Sequence, residues 1–318
     1  HTGAVVSVGV VLGAGGIVGA AYHAGVLTAL AEAGFDARDA DLLVGTSAGS
    51  GVAASLRAGF PPIDLAPRNL GGPISPEARE IVGRSGGPPI MNFKPRPFSR
   101  LPVPSSPGLV LRASREPAKA FAGLLPKGTI STAVIGERID ALYGERSWPS
   151  DPLWICAVDL DRGDRVVFGR DVDAPVGVAV QASSSIPGFF RPVAHRDRRY
   201  VDGGVHSPTN ADLLADGEYD VVVIASPMSA GAVDRRVRPS PRRLHARRLA
   251  SEVRRLEQAG ITTLVFQPSA VEIDAMGRNP MDAKRRAATT RATLAAARRA
   301  LAQPRLADRL VLLQQASS

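Results

Sequence analysis

The 318-residue chain reads as an α/β protein whose largely parallel sheet is covered by helices on both faces. Three observations predict this. A β-branched run, a glycine cluster and an alanine-rich segment open the chain. A second apolar run then turns at Gly45-Thr46-Ser47-Ala48-Gly49 into another helix-like segment, and strand and helix patterns alternate again toward the C-terminal end.

In order, Val5-Val6-Ser7-Val8-Gly9-Val10-Val11 has strand character, Gly13, Gly15 and Gly16 supply a loop, and Ile17, Ala21, Ala24, Leu27 and Ala31 share one helical face. Ala4 to Ala31 carries no charged residue, long enough to cross a bilayer, but its division into strand, loop and helix is the better parse. The second strand and its helix occupy residues 41–58. Twelve of the 26 prolines then fall between Pro61 and Pro107, a density that forbids regular helix or central strand. Residues 60–112 are therefore expected to form an irregular insertion, either a lid or binding loop or, in part, a disordered connector. Helical pattern resumes over 114–125, strands are expected at 153–159, 165–168, 199–201, 220–225 and 261–266, and helices at 241–259 and 281–302. The expectation is one domain over residues 4–318, with His1-Thr2-Gly3 set aside as the remnant of a tag.

Composition narrows the classes. With 44% hydrophobic and 22% charged residues the chain is ordinary for a globular protein. A single cysteine, Cys156, in the apolar run Leu153 to Val158, leaves no disulfide framework and no cysteine-based metal site. The net charge of +9 invites nucleic acid, but only four of the 39 basic residues are lysine and aromatics are 5%, which leaves few stacking platforms for bases. No nucleic-acid partner is expected; an anionic lipid surface suits the same charge. No signal peptide is visible, so the default expectation is a cytoplasmic protein with peripheral membrane contact, a trimmed N-terminal signal remaining open. Oligomeric state is open.

Gly45-Thr46-Ser47-Ala48-Gly49 matches the nucleophile elbow G-x-S-x-G, in which the serine sits in a strained turn with Oγ exposed and glycines two residues away prevent collision. Gly13-Ala14-Gly15-Gly16-Ile17-Val18-Gly19 occupies the place of a dinucleotide fingerprint but misses its spacing, since Val18 stands where the last glycine belongs. Consecutive N–H groups at the start of a helix nonetheless suit negative charge, an oxyanion as readily as a phosphate. A serine needs a base. By order His206 and His245 fit a Ser-Asp-His triad, but His206 is four residues beyond Asp202 and His245 lies among arginines. Tyr200-Val201-Asp202-Gly203-Gly204 offers a carboxylate with space beside it, or else a tight turn. The block Ala182-Ser183-Ser184-Ser185-Ile186-Pro187-Gly188-Phe189-Phe190 reads mostly as structural.

Glycine loop, G-x-S-x-G, the A-S-x-x-x-P-x-x-F block and D-G-G, in that order over residues 5–225, resemble the bacterial patatin-like phospholipases, a family of lipid acyl hydrolases. The resemblance implies a three-layer α/β/α sandwich and a serine–aspartate dyad without histidine. Ser47 then matches the nucleophile and Asp202 the base. Ala14, Gly15 and Gly16 match the oxyanion loop, with Gly19, Gly45, Gly49, Gly203 and Gly204 as supporting glycines. Two positions depart from the family's usual loop, Ala14 for glycine and Val18 for a basic residue. The implied activity is hydrolysis of lipid carboxylic esters through an acyl-enzyme, with no metal and no organic cofactor. Acyl transfer on the same dyad, or a non-catalytic phosphate- or nucleotide-binding protein, are the alternatives.

Overall fold

The computed structural model describes residues 6–85, 103–112, 116–231 and 241–317. Eight strands form one sheet: β1 (Val8–Leu12), β2 (Leu42–Thr46), β3 (Leu153–Asp159), β4 (Arg165–Phe168), β5 (Val193–His195), β6 (Arg198–Asp202), β7 (Val221–Ala225) and β8 (Thr262–Phe266). The helices between them are α1 (Gly16–Glu32), α2 (Ala48–Arg57), α3 (Leu65–Leu70), α4 (Pro76–Arg84), α5 (Pro107–Arg112), α6 (Pro117–Leu124), α7 (Ala133–Tyr143) and α8 (Val176–Ser183). After β7 come α9 (Pro241–Gln258), α10 (Ala270–Met276), α11 (Arg286–Leu301) and α12 (Ala307–Ala316).

The strand order is β5-β6-β3-β2-β1-β7-β8, with β4 also on β3. The ladders from β3 through β2, β1 and β7 to β8 are parallel, while β4, β5 and β6 join antiparallel. Period-two alternation splits the core between the faces. Val8, Val10 and Leu12 of β1, with Leu43 of β2 and Val223 of β7, pack in the larger cluster against α1, α2 and α8. Val11, Leu42, Val44, Val222 and Ile224 point the other way, toward Leu249 and Leu256 of α9. The central sheet is thus flanked by helices on both sides. The charge-free opening is strand, loop and helix, and among the described residues no helix is long and apolar enough to cross a membrane.

The proline-rich insertion is more regular than its composition suggests, since α3, α4 and α5 all lie within residues 60–112. The prolines occupy helix starts: Pro76 and Pro107 open α4 and α5, and Pro67 lies in the first turn of α3. A first-turn N–H has no intrahelical acceptor, so its loss costs nothing. Residues 86–102, on which a lid reading would chiefly rest, lie outside the described residues. Short helices at 133–143, 270–276 and 307–316 and the strand β5 were not expected from sequence pattern, being short or flanked by weak turn signals.

One glycine shows how tightly the elbow is seated. A Cβ on Gly49 would stand 1.9 Å from the Leu12 carbonyl oxygen, backbone that cannot swing aside, whereas on Gly19 it would meet its nearest neighbours at an ordinary 3.7 Å. We therefore expect Gly49→Ala to cost about 3 kcal/mol or more, and Gly19→Ala, inside α1, to be neutral or to add about 0.5 kcal/mol. Urea unfolding of the two variants checks this; equal midpoints would contradict it.

Candidate active site

Ser47 is the junction between β2 and α2, with φ 53° and ψ −120°, one of three non-glycine residues with positive φ among the described residues. The strain is held in place by its neighbours. The Ser47 N–H donates to Ser183 Oγ (2.8 Å), whose own hydroxyl donates to the Cys156 carbonyl (2.6 Å), and the Ser47 carbonyl accepts from Ser50 Oγ (2.6 Å). Gly45 clears the path, because a Cβ there would stand 2.5 Å from Ser50 Cα.

Asp202 ends β6. Register places it beside the elbow: Thr46 lies opposite Cys156 and Asp202 opposite Ala157, consecutive positions of β3. Its N–H donates to the Ser185 carbonyl (3.0 Å), and its Oδ1 accepts from the Gly204 N–H (2.7 Å). Gly203 is needed against β3, since a Cβ would stand 2.3 Å from the Cys156 carbonyl. The carboxyl is 4% exposed, and burial raises its pKa from 3.8 to about 6 against the opposing pull of the Ser47 hydroxyl and the Gly204 N–H. Ser47 and Asp202 both line one cavity.

The glycine loop lies over the same point but offers fewer donors than the residues implied. Ala14 gives its N–H to the Pro208 carbonyl (2.7 Å), so it is not free to meet an oxyanion. The N–H groups of Gly15 and Gly16 have no acceptor among the described residues, and neither has that of Ala48, directly after Ser47. Position 15 needs glycine because a Cβ would meet Gly19 Cα at 2.5 Å, and Gly16 has φ +62° with Pro280 and Met281 pressed against it. Beneath the loop, buried His23 donates through Nε2 to the Gly13 carbonyl (2.7 Å). Burial holds its pKa down, at about 4, so the ring is neutral.

The turn after Asp202 ties these parts together. Glu252 of α9, 2% exposed, accepts from Ser207 Oγ (2.5 Å), Thr209 Oγ1 (2.5 Å) and the Ala211 N–H (3.1 Å). Asn210, at φ 55°, donates to Thr46 Oγ1 (3.1 Å). One turn therefore carries both the Pro208 carbonyl that holds Ala14 and the amide that holds the elbow strand. Ser183 lies in the A-S-x-x-x-P-x-x-F block, whereas Asn210 and Glu252 had no sequence signal beyond residue type, because each acts through a partner far along the chain.

The histidines offered as alternative bases are placed elsewhere. His206 meets Arg248 Nη2 through Nε2 (3.2 Å), and burial with nearby arginines keeps its pKa at about 4. His245 lines a cavity shared with Ser47 and Asp202 but makes no hydrogen bond to either. Among the described residues no cluster of histidine, cysteine, aspartate or glutamate could hold a metal ion. Burial pushes the Cys156 thiol up to about 12, so it stays protonated in the core.

Two cavities meet at Ser47. One, of about 310 Å³, runs between α1, α2, α4, α7 and α8, with Ala20, Val52, Phe60, Ile139 and Val180 on its walls. The other, of about 440 Å³, is bounded by Phe121, Leu125, Ile186, Met228 and Pro280 and contains Asp202. Both include Gly16 and Ile186.

The sheet and the two cavities that meet at Ser47 define an α/β protein with a serine and an aspartate brought together at the ends of its strands. The family model described as patatin-like phospholipase matches residues 109–215, a stretch that includes Ser183 and Asp202 and follows Ser47. This match supports the patatin-like family, which is one of lipid acyl hydrolases. Among solved structures, VipD from Legionella pneumophila aligns over 94% of this chain and 67% of its own, at 13% identity and a TM-score of 0.43.

Proposed function

We propose that the protein hydrolyses carboxylic esters of lipids through a Ser47–Asp202 dyad and an acyl-enzyme intermediate. The observation that carries the reading is the buried Asp202 carboxyl, raised to about 6 and set against a serine on a strained elbow. A carboxylate of that pKa is a far better base than an ordinary aspartate and is still mostly ionised at neutral pH. As Ser47 Oγ attacks the ester carbonyl, its proton passes to Asp202 and the negative oxygen meets the N–H groups of Gly15 and Gly16, with Ala48 as a third donor. The alcohol leaves with that proton, and water activated by Asp202 then releases the acid. The apolar cavities supply room for hydrocarbon on both sides of the scissile bond. Phe121, 60% exposed at the edge of the second cavity, and the basic helix α9 suit contact with an anionic lipid surface.

Two measurements test it. A fluorophosphonate should label the protein once, and peptide mapping should find the adduct on Ser47; labelling at another residue overturns the assignment. On a soluble neutral ester, kcat/KM should rise as Asp202 ionises, with a midpoint near pH 6. A profile flat from about pH 4.5 to 8 would remove Asp202 as the base.

A further inference from the structure

The smaller cavity is lined mostly by apolar side chains, with a few serines and Asn69 among them, and its charges have one sign. Arg68, Arg138 and Arg286 line it, and among its described lining residues there is no aspartate or glutamate. Among the described residues the side chains of Arg68 and Arg286 form no ion pair or hydrogen bond, while arginines elsewhere find carboxylates, as Arg165 does in Asp212 (2.7 Å) and Arg199 in Asp161. Arg68 has instead the face of Phe60, 5.3 Å from its guanidinium carbon to the ring centroid. Burial and the nearby charge of Arg286 both depress the Arg68 pKa, so the two cations feel each other across a poorly solvated wall. Two uncompensated like charges beside an apolar cavity oppose folding, and a bound anion would relieve them.

Helix register puts the pair near the chemistry. α1 and α11 run in the same direction, with Gly16 against Pro280 and Met281, and Gly25 against Leu294. Thr290 Oγ1 donates to the Ala21 carbonyl (3.1 Å), and Asn69, next to Arg68, donates to Thr290 Oγ1 (3.2 Å). Arg286 is one turn before Thr290, about 6 Å back toward the glycine loop. Both arginines therefore flank the first two turns of α1, the stretch that begins at the oxyanion donors and lines the cavity through Gly16, Ile17, Ala20 and Ala21.

We propose that Arg68 and Arg286 form an anion subsite of this cavity, and that the substrate is an ester bearing a phosphate or carboxylate a few bonds from the scissile carbonyl. The proposal rests on the dyad reading and adds the charge of the substrate to it. Guanidinium groups suit it because their planar forks take both oxygens of such a group. The anion could stand on the alcohol side, as the phosphate of an acylated glycerol phosphate, or on the acyl side, as a short dicarboxylic acid monoester. In either position it would fix the ester's direction in the site.

The test compares the wild type with Arg68→Gln, Arg286→Gln and the double variant on three soluble butanoyl-length esters. One is neutral, one carries phosphate on its glycerol, and one ends its acyl chain in carboxylate. Expected is a wild-type preference for one anionic ester over the neutral one, a KM for it about 10- to 100-fold higher in the double variant, and a neutral-ester rate unchanged throughout. The preference should also fall with added salt. Which anionic ester is favoured identifies the side on which the charge stands. Equal losses on neutral and charged esters, or no wild-type preference, overturn the subsite. Arg68→Gln also loses the stacking on Phe60, so Arg286→Gln, which leaves that contact intact, decides the matter if the former melts early. Failure of the dyad reading looks different: no ester is turned over and Ser47 is unlabelled, while a thermal shift with glycerol phosphate, present in wild type and absent in Arg286→Gln, still reports the subsite.

Discussion

Ser47→Ala should lower kcat for a soluble ester by about 10⁶, leaving only what the oxyanion donors and substrate binding provide. The fold should survive. The elbow is held through the Ser47 backbone, by Ser183 Oγ on its N–H and Ser50 Oγ on its carbonyl, and neither bond involves the deleted hydroxyl. An unchanged thermal midpoint together with lost turnover is therefore the expected pair of results. Residual activity within about tenfold of wild type would place the nucleophile elsewhere.

Asp202→Asn should lower kcat by about 10⁴ and, unlike the serine variant, stabilise the protein in alkali. The sign follows from the pKa. Burial raises the carboxyl from 3.8 to about 6 on folding, so between those values the native state holds a proton that the unfolded chain has released. The contribution of this group is fully present below about pH 4 and is lost as pH rises through about 6, a loss of about 2–3 kcal/mol for a group this buried. Asparagine keeps the acceptor for Gly204 N–H and cannot ionise, so the variant should melt about 5 °C above wild type at pH 8 and close to it at pH 4. A variant that melts lower at pH 8 would mean that the carboxylate is a net contributor to the fold. The stability given up by the wild type would be the counterpart of the proposed base's readiness near neutrality.

Much of this site was legible in sequence because its parts are local. Gly45 and Gly49 report an elbow through the space they leave, and Asp202 with its two glycines reports a strand end. The same is true of the sheet, where β-branched runs and glycine turns mark β2, β7 and β8 to within a residue or two, and β1 with a start three residues early. What sequence could not show is which backbone groups are already spent. Ala14 carries an N–H like any residue, and only the fold reveals that Pro208 takes it. The Ala182–Phe190 block was read as mostly structural, and its structural work is done at the site: Ser183 Oγ takes the Ser47 N–H and the Ser185 carbonyl takes that of Asp202. Proline density misled for a similar reason, since composition does not say whether a proline falls at the start of a helix or within it.

The adjacent seats of Thr46 and Asp202 along β3 have a consequence for assembly. The elbow and Asp202 belong to strands far apart in the chain, and the third strand brings them within one residue step of each other. Such long-range pairing forms late, because closing long loops comes before any contact rewards it. Catalytic competence is therefore a property of the finished sheet. A nascent or partly unfolded chain with its helices in place would have an elbow and a carboxylate but no pair, so the proposed chemistry would stay silent until the molecule around it is complete.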